Sequence, residues 1–524
     1  MKSNFRLAAW VSGIVVASAT ECFGLNFAWR NTTGGWYGDV ANWCEYAGNS
    51  DYSTDVDRVP GSMPECWTNC IGGTAESPLA YTVNFDSDVT LHSAYFATGN
   101  ARVADVTLDL NGHVFSITNQ FFIDGWSVSG TQSPSMSLTV SNGTFNVSSS
   151  TAYNTRMNRW SVAGYYANLT FGAGLDAKFK DIFKIDCRSP RKSNVTIKDG
   201  ARVVFGTCPA MDSASNVILR ITGEGTSVTN LSNGEWYIND GCEVLVEDRA
   251  TYEFGYFRVW GNNGRFTFDN VVCTNRSAAG TISVIGYTQY GKPATNCVVE
   301  CRNGAKVGLM KGLKLEGPDG AVLVRGGSDL YCASGLYLSS RDGRVEVDDS
   351  NLSTGSGNAI TLGGNGTYVW GKSEASSNCL MRISGRNGHV STGRLTMYSK
   401  STLEFDIPKD GYARMPLEVT TETGFVTNTD CHVVINADKF LRAHPGETIT
   451  LATFKTPRDT TYQTYPFNTI YAITNNTRFV RHGREYRINE NPALTGTISY
   501  SVASSTGTLT YTAPVSAGLV IQVD

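Results

Sequence analysis

Val106-Thr107-Leu108-Asp109-Leu110-Asn111-Gly112 reads as a strand followed by a turn. Its first five residues alternate apolar and polar, the period-2 pattern of a half-buried strand. Asn111-Gly112 then supplies two residues that tolerate positive φ, as a tight turn demands. Tyr81-Thr82-Val83-Asn84-Phe85 and Leu138-Thr139-Val140 alternate in the same way. The turn recurs at Asn142-Gly143, Asp199-Gly200, Asp240-Gly241, Asn303-Gly304, Asp319-Gly320, Asp342-Gly343 and Asn387-Gly388. Helical periodicity is confined to Ala437–Ala443, one or two turns.

The spacing of these turns separates hairpins from a solenoid. Asn142, Asp199, Asp240, Asn303, Asp342 and Asn387 follow one another at intervals near two or three multiples of about 20 residues. A fixed recurrence of that size signals repeat architecture. A coil of about 20 to 23 residues, three short strands and three turns, predicts an all-β parallel β-helix. Asn111 and Asp319 fall out of phase. A β-sandwich, whose turns come about 8 to 12 residues apart, stays open as the alternative.

Composition agrees with an elongated repeat domain. Charged residues are 17% of the chain and glycines number 54, a turn-rich composition low in charge. The net charge is −4, with Lys and Arg scattered singly. No basic stripe exists to neutralise phosphates, so nucleic acid is not an expected partner.

Lys2 and Arg6, the apolar run Leu7 to Ala17, and Ala17-Ser18-Ala19 have the three parts of a secretory signal peptide. Cleavage after Ala19, or alternatively after Gly24, would deliver an extracytoplasmic protein. Glu21 before Cys22 argues against a lipoprotein box. The apolar run is shorter than the roughly 20 residues that span a bilayer, and no later run approaches that length. Thirteen cysteines, all beyond Ala19, suggest disulfides in an oxidising compartment. Cys187 and Cys208 are separated by one coil and are expected to pair; Cys44 is expected to pair with Cys66 or Cys70. Ten Asn-x-Ser/Thr sequons match what chance gives in a chain this rich in Asn, Ser and Thr.

Phe27-Ala28-Trp29, Gly35-Trp36, Ala41-Asn42-Trp43 and Val59-Pro60-Gly61 place three evenly spaced tryptophans behind the signal. This segment resembles the head of secreted bacterial autotransporter-like passengers of the pectin-lyase-like class. Tyr81 to Gly125, with Asp109-Leu110-Asn111-Gly112-His113, looks like that family's first coils. Leu403-Glu404-Phe405-Asp406, Pro416-Leu417, Thr423-Gly424 and Gly446 resemble its closing passage. The resemblance implies a right-handed parallel β-helix outside the cell: signal 1–19, Trp/Cys-containing cap 20–80, β-helix 81–407, β-rich closing segment 408–524. An outer-membrane barrel needs at least eight strands, and the stretch after Thr456 is too short to supply them with their loops, so export through an attached barrel is not expected.

Motifs for chemistry do not survive their context. Gly366-Thr367-Tyr368-Val369-Trp370-Gly371-Lys372-Ser373 matches a Walker A pattern, but a P-loop needs a helix after it and this one carries a strand sequence. Asp348-Asp349, Gly388-His389 and Asn428-Thr429-Asp430 resemble fragments of a polygalacturonase site, in the wrong order along the chain. Cys66/Cys70 and Cys297/Cys301 have metal-like spacing without neighbouring ligands to complete a tetrahedral site, and disulfides are the favoured reading. Asp51, Ser53, Asp55 and Asp57 alternate as in a calcium loop, but Val56 replaces the needed glycine. No catalytic residue, metal or cofactor is assigned.

Aromatic density is the remaining clue. Trp236, Tyr237, Tyr252, Phe254, Tyr256, Phe257 and Trp260 gather in one short stretch, and period-2 spacing puts Tyr252, Phe254 and Tyr256 on one strand face. Stacked inside a solenoid they are core. Outside, Tyr252, Tyr256 and Trp260 would form a ligand platform. The expected role is structural or adhesive at the cell surface, with polysaccharide or neighbouring cells as partners. A carbohydrate-active enzyme of pectin-lyase-like fold is the alternative, and acids converging with Arg or Lys on one face would favour it.

Overall fold

Strands joined by tight corners account for most of the described chain, and nearly all neighbouring strands run parallel. The computed structural model describes residues 26–45, 54–60, 66–70, 79–99, 103–126, 135–149, 155–157, 166–181, 183–185, 188–207, 209–211, 214–232, 235–275, 282–286, 293–364, 377–398, 400–421, 425–427, 431–455, 470–472, 486–487, 496–503 and 506–515. The chain forms two compact units, Met1–Pro209 and Ala210–Asp524. The architecture is a parallel β-helix. Among the described residues, antiparallel pairs occur only in the N-terminal cap and in the C-terminal closing strands, which removes the sandwich alternative.

In the first unit the chain alternates between two sheets. Leu79–Asn84, Val103–Asp109, Ser135–Ser141, Tyr166–Phe171 and Arg188–Ile197 pair successively in parallel to make the first sheet. Val89–Gly99, Val114–Trp126, Gly143–Val147, Leu175–Phe179 and Arg202–Phe205 make the second. Alternation decides which side chains enter the core. Ala104, Val106 and Leu108 are buried, and Asp105, Thr107 and Asp109 point out. Because neighbours are in parallel register, the inward residues stack as a column: Tyr81, Val106, Leu138, Leu169, Val195. Burying each aliphatic side chain of such a column contributes about 1.5 to 3 kcal/mol.

The cap closes the open end of that core. Asn26–Trp29 lies between Trp43–Glu45, to which it is antiparallel, and Cys66–Cys70, to which it is parallel. Trp29, Trp43 and Trp67 are fully buried. Trp43 meets Trp29 edge-on at 5.2 Å and Trp67 at 5.0 Å between ring centroids, the edge-to-face geometry that ring quadrupoles prefer. Tyr37 donates to the Pro60 carbonyl at 2.9 Å, tying that segment to the cap.

In the second unit each coil carries three strands. Val298–Arg302, Lys306–Leu309 and Leu313–Leu315 form one coil; Ala321–Arg325, Asp329–Cys332 and Leu336–Leu338 form the next, in register with it. Val298, Ala321 and Arg344 head successive strands of the unit's first sheet, each one coil beyond the last. Two corners of the coil need a left-handed residue. The corner entering the first sheet uses Asn263, Asn296, Asp319, Asp342 and Asn378, all with φ between 56° and 58°. The corner leaving it uses Asp248, Asn270, Asn303, Gly326, Asp349 and Gly385, again all at positive φ. Asp319 therefore belongs to a different column from Asn303, and the Asn-Gly and Asp-Gly pairs of the sequence mix the two columns.

Parallel pairing continues past Ile407, through Leu417–Val419, Phe425–Thr427 and His432–Asn436. The short helix is Asp438–Ala443. Thr448–Lys455 then pairs parallel with Leu417–Val419 and antiparallel with Thr506–Thr512, which in turn pairs antiparallel with Thr497–Ala503.

The cysteine expectations need correction. Cys242, Cys273, Cys297, Cys301, Cys332 and Cys379 are reduced and buried. They serve as small apolar core residues: Cys301 stacks between Phe268 and Val324, and Cys273 between Tyr252 and Val307. Cys297 and Cys301 are four positions apart along extended chain, about 13 Å, too far for a bridge. Cys44 lies opposite Ala28, while Cys66 and Cys70 flank the other side of the same strand. Two strand spacings, about 9.6 Å, exceed the reach of about 7 Å that a disulfide has, so Cys44 does not pair with either. The Cys44 thiol instead lies 3.5 Å from the Ala28 carbonyl. Cys187 and Cys208 lie outside the described residues.

Candidate functional site

Outward residues of the second unit's first sheet build a charged face. Glu300 is the anchor, its side chain 8% exposed. Arg265 reaches it at 3.1 Å, and Arg302 and Arg325 at 3.7 Å. Arg302 also binds Asp269 at 2.8 Å, and Arg325 binds Glu346 at 2.8 Å; Arg344 meets Glu346 from the other side at 3.2 Å. Val298, Ala321 and Leu323 point outward in this face and are nonetheless buried. Val298 and Ala321 stand in one column between Arg265 and Arg344, where long guanidinium stems cover apolar surface.

The network continues into an open groove of about 450 Å³ lined by Arg325, Glu346, Asp348, Arg382, Ser384, Gly385, Asp406, Pro408, Lys409 and Lys439. Arg382 binds Asp406 and lies 3.4 Å from Glu404. Burial pushes the Glu404 carboxyl up, against the pull of the Arg382 charge. Burial lowers the Arg382 guanidinium, but the hydrogen bond to Asp406 and the Glu404 and Asp406 charges outweigh it and the net shift is upward. Ser384 donates to Asp348 at 2.8 Å. Every acid of the groove is thus already held by a guanidinium or a hydroxyl. Lys409 and Lys439, which line it, carry no ion pair among the described residues.

The first unit presents a different face. Thr82, Thr107, Thr139, Thr170 and Thr196 occupy one outward column of its first sheet, one per rung. Ala80, Asp105, Ser137, Asn168 and Asn194 form the next column. Asn194 donates to Asn168 at 3.1 Å, and Asn168 to Ser137 at 3.2 Å. A smaller groove of about 320 Å³ lies at the cap end of this face.

The sequence-predicted platform does not form as one surface. Tyr252 is 2% exposed. Its ring stacks on Phe254 at 5.1 Å and Asn230 donates to its hydroxyl at 3.3 Å. Tyr256 and Trp260 are half-buried on a different strand and the corner after it. The break is Gly255, which stands between Thr251–Phe254 and Tyr256–Val259 and shifts the inward phase by one position. Trp260 stacks on Tyr237 at 4.2 Å.

The polygalacturonase-like fragments also separate. Asp348 faces the groove, whereas Asp349 is a corner residue at φ 50° whose carboxylate accepts from the Asn387 amide and side chain, both at 2.9 Å. The His389 Nδ1 lies 2.7 Å from the Met415 carbonyl, and burial holds the ring below its usual pKa. Asp55, from the calcium-like stretch, pairs with Arg30. Asn428, Asp430, the Walker-like residues 366–373, Asp51 and Ser53 lie outside the described residues.

Sequence reasoning missed Arg325, Glu346, Arg382, Lys409 and Lys439 as a group. The available signal was charge at alternate positions of successive coils, as in Arg344-Val345-Glu346-Val347-Asp348 and Leu403-Glu404-Phe405-Asp406. No protein-family model, curated protein or solved structure matches this chain.

Proposed function

We propose that the protein is an exported β-helix that works by binding, and that its partner is an acidic polysaccharide of a cell surface. The signal-peptide pattern of residues 1–19 supports export. The observation that carries the binding role is the groove of the second unit: its acids are already engaged, and Lys409 and Lys439 stand ready for an anionic ligand. Parallel strands repeat about every 4.8 Å, so a face of stacked rungs suits an extended polymer. Half-buried, pre-positioned arginines lose little freedom on contact, which favours affinity.

The enzyme reading has one observation in its favour, because acids converge here with Arg and Lys on one face. General acid–base chemistry requires a group free to exchange its proton with substrate. Here Glu346, Asp348, Glu404 and Asp406 have partners within the protein, which weighs towards binding. The test is titration of galacturonate oligomers into the full mature chain, run beside a uronate lyase and hydrolase assay. Binding without turnover, weakened severalfold by Lys409→Ala with Lys439→Ala, is the expected result. Turnover would establish the enzyme reading instead.

A further inference from the structure

The small groove of the first unit has features that the charged groove lacks. Thr33, Thr82, Asn84, Asp105 and Thr107 line it with hydroxyl, amide and carboxylate groups, and no Lys, Arg or His is among its described lining residues. Gly34 and Gly35 form one wall, and a side chain there would collide: a Cβ on Gly34 would stand 2.6 Å from the Thr82 carbonyl oxygen. That wall is held in place. Asn31 accepts from the Thr33 amide at 3.0 Å and its hydroxyl at 2.8 Å; Asn31 donates to Asn42 at 2.7 Å, and Asn42 to the Trp36 carbonyl at 2.9 Å.

Beside the wall stands Trp36, 51% exposed while Trp29, Trp43 and Trp67 of the same cap are completely buried. Trp36 is in register with Asn84, and Gly35 with the inward-facing Val83. The indole therefore belongs to the outward face, with Asn84 and the threonine column. Leaving so large an apolar ring in water forgoes roughly half of its burial energy, and the cap's other rings show that this packing was available.

We infer that Trp36 and this groove form a binding subsite for a neutral sugar residue. The indole offers a flat apolar face to the C–H side of a pyranose ring, and Thr82, Asn84, Asp105 and Thr107 offer donors and acceptors to its hydroxyls. Asp105 as the groove's carboxylate, with no cation among the described lining residues, disfavours an acidic sugar. The threonine column that leads away from the groove gives a longer neutral glycan a hydroxyl-lined track with one rung per strand spacing. This inference rests on the glycan-binding reading but on a separate face.

The test titrates neutral β-glucan and N-acetylglucosamine oligomers, and galacturonate oligomers, into the full mature chain by calorimetry. The expected result is binding of a neutral oligomer that Trp36→Ala weakens at least about tenfold, that Trp36→Phe partly restores, and that Thr107→Val also weakens. Lys409→Ala with Lys439→Ala should leave it unchanged. Neutral-oligomer binding equal in Trp36→Ala and wild type overturns the inference. Binding of galacturonate alone, lost with the two lysines, overturns it while leaving the proposed function standing; binding of no oligomer overturns both.

Discussion

The Arg325 guanidinium spans two rungs, 2.8 Å from Glu346 on one and 3.7 Å from Glu300 on another. Each acid is about one coil from Arg325 along the chain, so only the stacking of coils brings them together. Arg325 is 40% exposed, and solvent screens its pairs accordingly. A double-mutant cycle of Arg325→Ala with Glu346→Ala should return a coupling of about 1 kcal/mol or less. Chemical denaturation at low and high salt checks it, and the coupling should shrink as salt rises.

Glu300 should behave differently from Glu346. It is almost buried and answers three arginines, so Glu300→Ala leaves three guanidiniums without their shared counter-charge. The expected loss is about 1.5 to 3 kcal/mol, the range for hydrogen bonds to charged groups. A urea midpoint close to that of wild type would show that the arginines find other partners.

The corners give a cleaner test of backbone conformation. Asp319 has φ 57° and its amide donates to the Arg341 carbonyl at 3.2 Å. A Cβ costs roughly 1 to 2 kcal/mol in the left-handed region, a penalty glycine escapes and Asp softens. Asp319→Val should therefore lower stability by about that amount, and Asp319→Gly should leave it near wild type. Melting temperatures of the two variants settle the order.

These corners also explain how far the sequence could be read. The Asn-Gly and Asp-Gly pairs marked real turns, and Val106-Thr107-Leu108 marked a real strand with its correct inward face. The coil length blurred because two corner columns share one sequence signature: Asn303 leaves the first sheet and Asp319 enters it. Phase across a corner was not legible, since Gly255 let Tyr252 turn inward and Tyr256 outward. The charged groove was least legible. Arg382 and Asp406 are partners only because they stand on adjacent strands, and nothing local in either segment announces the other.

The buried thiols predict a pH response at the alkaline end. Burial pushes Cys242, Cys273, Cys297 and Cys332 up to about 12, from an ordinary value of 9.0. The folded protein then binds more protons than the unfolded chain between those values, so stability is full below about pH 9 and falls as pH rises towards 12. At pH 8 only roughly one thiol in ten thousand would be ionised in the fold. Thiol-reactive dye should label these cysteines quickly in denaturant and very slowly in the native protein.

His389 predicts a response at the acid end with the opposite sign. Burial lowers its pKa below the ordinary 6.5, so the unfolded chain takes up a proton before the folded one does. Its contribution is present above pH 6.5 and is lost as pH falls through the lowered value. His389→Asn should flatten the stability profile across that window. An unchanged profile measured by denaturation at successive pH values would mean that folding does not shift the ring's pKa.

The two tyrosines of the aromatic segment should part company when truncated. Tyr252 is buried, stacked on Phe254 and hydrogen-bonded by Asn230. Removing its ring opens a cavity in the column beside Cys273, so Tyr252→Ala should cost about 3 to 5 kcal/mol. The hydrogen bond from Asn230 would also be lost. Tyr256 is half-buried on the outward side of the next strand, and outward positions away from the core change stability by about 0.5 kcal/mol or less when substituted. Thermal melts of the two variants should therefore differ by many degrees, with Tyr252→Ala the lower. Equal melting temperatures would mean that Gly255 does not separate an inward from an outward aromatic, and the single-face platform read from the sequence would return.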